Sequence, residues 1–423
     1  MPQRGRLPGA SGPDQIVCHA DIDCFYASCE RLRESALRGE PVVVGMGYEP
    51  GTTNGAVATA SYEAREFGVE SAQAISQALD ALPRKIDAAK ADDQSVEKAG
   101  FYRPVDMEYY ESVASDIKAI LHERADTVRE VSIDEAYLDL TERVEWGGEL
   151  RSFAAELKAE IREEVGVTAS LGIAPTMSAA KVASDHDKPD GLVVVEPGDV
   201  QSFFSDLDVE EVHGVGPVTA AEMREMGIET AGDLATADPA RLEAAFGERG
   251  RRVHRFARGE DGREVEPKGR PKSFSRESAF TEATTDEERQ RERLQTLAEA
   301  VAGRADQRGV LYQTIGIKVV TPPFDVHTRA NSLSGPVADE ELVVDVATEL
   351  FEEFDGEEIR KLGVRVSNLS FGSESQPSLA AFSGETDADS EDESVDAGAV
   401  SKGQPIGSDV EPPEGQSSLR DFD

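Results

Sequence analysis

Short apolar runs that end in carboxylates punctuate the first half of the chain. Residues 16–22 make one such run, carrying Asp21 and followed by Asp23, and residues 131–139 make another, carrying Asp134 and Glu135. Their length and abrupt ends predict buried strands that deliver acid to their tips, with 128–140 forming a hairpin. Between them, 25–33 has helical periodicity, 41–45 and 55–60 read as buried strands, and Ser61 caps a short helix over 62–67 closed by Gly68. Residues 71–82 read as helix. Residues 84–100 are polar and weakly periodic, a surface insertion. A long helix is predicted over 105–123, with Met107, Val113, Ile117, Ile120 and Leu121 on its apolar stripe. Helix 150–165, strand 168–173, helix 178–184 and strand 192–195 follow, so 15–195 mixes strands and helices in one unit.

The pattern then changes twice. Residues 200–260 carry no strand signal, and Asp238-Pro239 reads as a helix cap with proline at the first helical position. After a Gly/Pro-rich linker at 261–272, the order is strand (273–281), helix (286–308), strand (312–321), strand (325–334), helix (339–354), strand (360–371). A β-α-β-β-α-β order predicts a four-stranded antiparallel sheet backed by two helices. One sheet face should be core, and the other should carry scattered positive charge from Lys318, Arg329 and Arg365. Residues 1–14 read as a flexible leader, and from 373 onward the Ser/Asp/Glu-rich chain is expected to be disordered.

Charge alters this picture. The chain has 44 Lys and Arg against 84 Asp and Glu, a net charge of −40 over 423 residues. The acid is spread over the folded part, which predicts adaptation to a high-salt cytoplasm, where screening lengths fall to about 3 Å. A net negative charge ordinarily argues against nucleic-acid binding; in high salt local contacts must carry any such binding. Cys18, Cys24 and Cys29 are an odd count and read as reduced structural thiols. The first residues carry Arg4 and Arg6 but no apolar core, and no run of about 18 apolar residues exists, so a cytoplasmic protein with no membrane contact is expected.

The candidate chemistry lies in the acidic tips. Mg²⁺ takes hard oxygen ligands, commonly one or two carboxylates together with substrate phosphates. Asp21, Asp134 and Glu135, with the Ile22 carbonyl, supply such a set. Alone, D-x-D or D-E also suits a turn or a helix cap. Four blocks in order narrow the choice: Asp21-Ile-Asp23-Cys-Phe-Tyr26, Ala58-Thr-Ala-Ser-Tyr62-Glu-Ala-Arg65, Ser132-Ile-Asp134-Glu135-Ala-Tyr, and Lys181-Val-Ala-Ser-Asp-His-Asp-Lys188-Pro-Asp-Gly191. Together they resemble the signature blocks of the Y-family translesion DNA polymerases, DNA polymerase IV type, over about 15–371. With the acidic composition, a halophilic archaeal source is expected.

The resemblance implies an α+β multidomain right hand: palm at 15–24 and 96–195, fingers at 25–95, helical thumb at 196–260, and a βαββαβ little finger at 273–371. It implies a low-fidelity, template-directed enzyme that adds dNTPs to a primer by two-metal phosphoryl transfer, without proofreading. Asp21, Asp134 and Glu135 would hold two Mg²⁺ ions with Ile22, and Asp23 would support them. Tyr26 resembles the steric gate against ribonucleotides, and Thr59, Tyr62, Arg65 and Lys188 the triphosphate-binding set. The stretch Val212-His-Gly214-Val-Gly216-Pro resembles a helix-hairpin-helix that grips duplex backbone. Arg251, Arg252, Arg255, Arg258, Arg270, Lys272 and Arg276 cluster around the linker and are further phosphate candidates. In the tail, Gln376/Leu379/Phe382 and Gln416/Leu419/Phe422 resemble sliding-clamp ligands. A monomer is expected. The competing reading, a catalytically silent DNA- and clamp-binding scaffold, is opposed by the complete carboxylate and triphosphate sets.

Overall fold

The structure is a computed structural model that describes residues 15–90 and 96–371. The chain divides between Gly269 and Arg270 into two compact units. Among the described residues the first unit contains eight strands: β1 Val17–Ile22, β2 Val42–Met46, β3 Ala56–Ala60, β4 Phe101–Pro104, β5 Thr127–Glu130, β6 Glu135–Asp139, β7 Ala169–Ala174 and β8 Leu192–Val194.

One sheet has the order β5-β6-β1-β7-β8 and places β1 at its centre, where all six residues are buried. Strand alternation divides the side chains of β1 between two faces. Cys18, Ala20 and Ile22 face one way, into a core with Ile117, Ile120, Leu150, Leu157 and Ile161 from the helices Met107–Arg124 and Gly148–Glu164. Each fully buried Leu or Ile there stabilises the fold by about 1.5–3 kcal/mol. Val17 faces the other way, packing with Met177, Ala180 and Val182 of the helix Met177–His186. His19 and Asp21 share that second face by parity. The helix can lie close because β7 carries Gly172, where an added Cβ would come within 2.1 Å of the Ala180 carbonyl and the Ser184 amide.

A second sheet has the order β3-β2-β4, with β2 antiparallel to β3 and parallel to β4. β4 lies at the end of what reads in sequence as a polar insertion. The flanks of that stretch are built in: Lys85 N donates to the Gly100 carbonyl (2.9 Å), Arg84 donates to the Tyr48 hydroxyl (3.0 Å) and the Thr52 carbonyl, and Ala88 and Ala99 are buried. The helix expected over 71–82 is shorter, Ile75–Ala81, because the chain before it makes a turn with Ala72 at φ 68°.

The helical part comprises Val200–Ser205, Pro217–Glu225, Ala231–Thr236 and Pro239–Ala257, the last interrupted at Gly247, which takes φ 60°. Asp238 caps that helix through the Ala240 amide, as its Asp-Pro sequence predicts. The segment that reads as a linker is anchored at its first end. The buried Asp261 accepts from the Ser178 amide (2.9 Å) and pairs with Arg263 (2.8 Å), and Val265 joins the neighbouring core.

The second unit is the expected four-stranded antiparallel sheet. Its strands are β9 Ser273–Thr284, β10 Val310–Thr321, β11 Asp325–Val337 and β12 Ile359–Phe371, in the order β11-β10-β12-β9. The helices Glu287–Gln307 and Glu340–Phe351 cover one face, with Leu294, Val301, Val343 and Phe351 packed against Ile315, Ile317, Leu362 and Val364. Among the described residues no helix is long and apolar enough to cross a membrane.

Candidate active site

Asp21 and Glu135 are direct cross-strand partners on β1 and β6. Their side chains therefore emerge on one face, the one covered by the helix Met177–His186. The Ile22 amide donates to the Asp134 carbonyl (3.0 Å), which brings the next residue of each acidic run to the same end of the sheet. The Asp134 carboxylate accepts a hydrogen bond from the Ser132 hydroxyl at 2.6 Å. Among the described residues no three His, Cys, Asp or Glu side chains close into a ready metal cage. The donor set nevertheless suits a hard divalent cation: carboxylate oxygens on adjacent strand ends.

Two lysines meet these carboxylates. Lys181 Nζ lies 2.8 Å from Asp21 Oδ2 and 2.7 Å from Glu135 Oε1, and Lys188 Nζ lies 2.7 Å from Asp21 Oδ1. Both ammonium groups also reach Asp185, at 3.2 and 2.8 Å. Burial raises the pKa of both acids. At Asp21, Lys181 and Lys188 outweigh burial and hold the carboxyl below the usual range; at Glu135, burial and the neighbouring Asp21 charge prevail and raise it. Lys181 is pushed down by burial, but Asp21, Glu135 and Asp185 more than reverse this and keep it charged. Lys181 is a site residue that the sequence motifs do not single out. A signal for it exists: it opens the fourth sequence block and lies four residues before Asp185, so helical spacing puts those two on one stripe.

Asp23 holds a supporting position. It is buried, and its carboxylate accepts from the Ser170 hydroxyl (2.8 Å), the Asp190 amide (2.8 Å) and the Tyr62 hydroxyl (3.4 Å). It thus ties β1 to β7, to the loop bearing Lys188 and to the helix bearing Tyr62. That loop is also gripped by Lys158 and Arg162, which pair with Asp190. Tyr26 stacks on Tyr110 with ring centroids 4.6 Å apart, and Tyr110 is fixed by its hydroxyl bond to Glu30 (2.6 Å). Arg65 donates to the Ala60 carbonyl (3.1 Å) and lies over the Tyr62 ring. Thr59 sits beside them on β3, opposite Val44. His19 is buried and bonded to the Ser184 hydroxyl (2.8 Å), a structural role. The three cysteines are buried and unbridged, and burial pushes Cys18 and Cys29 up to about 12.

Comparison with known proteins bears on the same residues. Residues 20–185 match the impB/mucB/samB family, 271–379 match that family's C-terminal domain, and 210–261 match a thumb domain described for DNA polymerase-iota. The chain is 61% identical over 390 residues to DNA polymerase IV of Halobacterium salinarum, covering 92% of this chain and 93% of that one. It is 39% identical over 369 residues to DNA polymerase IV of Methanoculleus marisnigri, covering 87% and 98%. The chain belongs to the Y-family DNA polymerases, DNA polymerase IV type. Similar solved structures include a Y-family DNA polymerase chimera of Dbh and Dpo4 (TM-score 0.72, 28% identity, 84% of this chain and 100% of that one). An insertion ternary complex of Dbh DNA polymerase is a second (TM-score 0.59, 28% identity, the same coverage).

In this Y-family polymerase the positions suggested for DNA contact divide. Gly214 takes φ +90°, which favours glycine, and its carbonyl accepts from Arg249 (2.9 Å). Gly216 caps the helix Pro217–Glu225, and a Cβ there would meet open space. Of the cations near the linker, Arg251 pairs with Glu243 (2.6 Å), Arg258 pairs with Glu260 (2.9 Å), and Arg270 lies over the Phe371 ring. Lys272 is exposed.

On the sheet of the second unit, Lys318 and Arg365 do lie on the face away from the helices. Arg329 and Arg276 do not. Arg329 is opposite Ile317, a core residue, and it pairs with Glu353 (2.5 Å) and covers the Phe354 ring. Arg276 is opposite Val364, also a core residue. Both arginines sit on edge strands, where two helices cannot cover the full width of the sheet, so a polar residue on the helix side stays solvated. The clamp-like positions Gln376, Leu379, Phe382, Gln416, Leu419 and Phe422 lie outside the described residues.

Proposed function

We propose that this polymerase performs translesion DNA synthesis, extending a primer on a DNA template with dNTPs, and that Asp21, Asp134 and Glu135 are its metal-binding carboxylates. The observation that carries this reading is the cross-strand pairing of Asp21 with Glu135 under a lysine-bearing helix, within a chain of this family. Divalent ions are a property of the family; the finer reading is a pair of Mg²⁺ ions held by the three carboxylates and the Ile22 carbonyl. When bound, such ions polarise phosphoryl oxygens and make a hydroxyl a better nucleophile at neutral pH.

The chain's own residues do the rest. Lys188 and Arg65 place positive charge where a triphosphate would carry negative charge, and Tyr62 adds a hydroxyl donor. Thr59 lines the same end of β3. Tyr26, stacked on Tyr110, would fill the space a ribose 2′-hydroxyl needs. Asp23 fixes the relative positions of these groups. We assign the palm to 15–24 and 96–195, the fingers to 25–95, the thumb to 196–260 and the little finger to 273–371. The Gly214–Gly216 turn, Lys272, and Lys318 and Arg365 on the open sheet face are the proposed contacts to the duplex backbone. A sliding clamp is the proposed partner of the tail, and the enzyme is read as a cytoplasmic monomer.

Primer extension in concentrated KCl tests the reading. Purified protein should extend a primed template with Mg²⁺, stop on chelation, and pass an abasic template site. Protein that is folded and binds primer–template, yet adds no nucleotide under any divalent ion, would instead support a silent scaffold.

A further inference from the structure

The open face of the second unit's sheet is built in rows across the strands. One row runs Thr328, Lys318, Gly363, Glu277; the next runs Val326, Val320, Lys361, Ala279; a third runs Ala330, Gly316, Arg365, Ser275. Among the described residues of these rows, three cations share the face with one carboxylate. Small and neutral side chains make up the remainder, so charge here is concentrated in a few positions.

Glu277 is not a stray surface acid. Its side chain is 6% exposed, against 34% for Lys318 and 30% for Lys361. Lys318 Nζ lies 2.9 Å from Glu277 Oε1 and 3.3 Å from Oε2, and Lys361 Nζ pairs with Oε2, so the one carboxylate holds both ammonium groups. The space is made by Gly363, directly opposite on β12: a Cβ there would come within 2.7 Å of Glu277 Cγ. The carboxylate therefore lies flat over the glycine, between two lysines from two different strands. A glycine that admits an acid at the middle of a cationic face is an arrangement that plain sheet packing does not require.

We propose that Glu277 is a built-in brake on DNA binding: it ties Lys318 and Lys361 to the protein and lowers this face's affinity for backbone phosphates. The inference rests on the reading that the open face meets the duplex. Phosphate affinity comes from lysines and arginines that displace counterions from DNA. A lysine already paired must share or give up its partner first, so the face contributes less than its three cations would alone. Backbone contacts carry no sequence information, so the brake sets residence time on DNA and leaves sequence preference untouched.

The test uses the full chain and a fluorescent primer–template, with binding read by anisotropy across about 0.5–2 M KCl. Glu277→Gln keeps the size of the side chain and removes its charge. It should tighten binding about twofold at about 0.5 M KCl, and steepen the slope of log affinity against log salt by about one. Glu277→Met should act in the same direction, and guards against a glutamine that merely replaces one hydrogen bond with another. The double change Lys318→Ala/Lys361→Ala should weaken binding, and adding Glu277→Gln to it should bring no recovery. If the double change weakens binding while both folded Glu277 variants bind as wild type or more weakly, the brake is wrong and the DNA-facing reading stands. If the double change leaves binding untouched, the face does not meet DNA and both readings fall. A role confined to sheet stability would lower the melting temperature of Glu277→Gln and leave its salt slope unchanged, which also overturns the proposal.

Discussion

The Lys181 ammonium bridges the carboxylates of Asp21 and Glu135, which face each other across two antiparallel strands. Two acids at adjacent positions repel, and a cation from the covering helix offsets that repulsion, with Lys188 adding a second contact to Asp21. This makes Lys181 as much a part of the site as the acids themselves. Lys181→Ala should destabilise the chelated protein by on the order of 3 kcal/mol, because it removes the cation that bridges the two carboxylates and leaves Lys188 to hold Asp21. Added Mg²⁺ should recover part of that loss. Thermal melts with chelator and with Mg²⁺ check this; a variant as stable as wild type in chelator contradicts the bridging role.

Gly172 positions that helix. Gly172→Ala would set a methyl group against the Ala180 carbonyl and Ser184 amide, so the helix bearing Lys181 must shift. Overpacking of this kind costs about 1–3 kcal/mol. Equilibrium unfolding should show the loss, and a neutral effect would mean that the helix seats itself elsewhere.

Asp23 links the supports of Tyr62 and Lys188, so its replacement should act on nucleotide binding before chemistry. Asp23→Ala should raise the KM for dNTP by about tenfold, the value of one charged hydrogen bond, with a smaller fall in kcat. Steady-state extension against dNTP concentration separates the two; an equal fall in kcat with KM unchanged contradicts the positioning role.

Tyr26 is braced by Tyr110, which makes it a rigid wall. Tyr26→Ala should lower discrimination against ribonucleotides by at least about tenfold. The ratio of dNTP to rNTP incorporation measures it, and an unchanged ratio removes Tyr26 from that role.

Acid should loosen the thumb region. Burial, helped by Arg263 and Lys181, lowers the pKa of His213 from 6.5 to about 4. A group whose folded pKa is depressed gives stability above its unfolded pKa and loses it as pH falls toward the folded value. The window is therefore pH 6.5 down to about 4, and the contribution at neutral pH is up to about 3 kcal/mol. His19, also lowered by burial, adds to the same trend. Melting temperatures between pH 7 and 5 should fall more steeply for wild type than for His213→Phe; parallel curves contradict the assignment.

Much of this architecture is legible in the sequence, for identifiable reasons. The helix Phe25–Arg33 and the β-α-β-β-α-β order of the second unit follow from periodicity that burial enforces. β4 escapes the sequence pattern because Phe101–Pro104 pairs in parallel with β2, far from it in sequence, and no local alternation marks it. Alternation puts Arg329 on the wrong face for a related cause, and Arg276 shares its side of the sheet. On the edge strands β11 and β9 the helix side is partly solvated, so polarity no longer reports direction; only the register to Ile317 and Val364 does. Lys181 is easily passed over because a lysine on a helix ordinarily meets solvent. Here the close packing at Gly172 brings it onto the strand ends.

The central claim is that the paired strand ends are the catalytic centre of a DNA polymerase. Single-turnover primer extension with Mg²⁺ in concentrated KCl, comparing wild type with Asp134→Ala at equal primer–template occupancy, tests it most directly. The variant should bind DNA normally and lose nucleotide addition by about a thousandfold or more, a loss of about 4 kcal/mol in transition-state stabilisation. Extension by Asp134→Ala at close to the wild-type rate would contradict it.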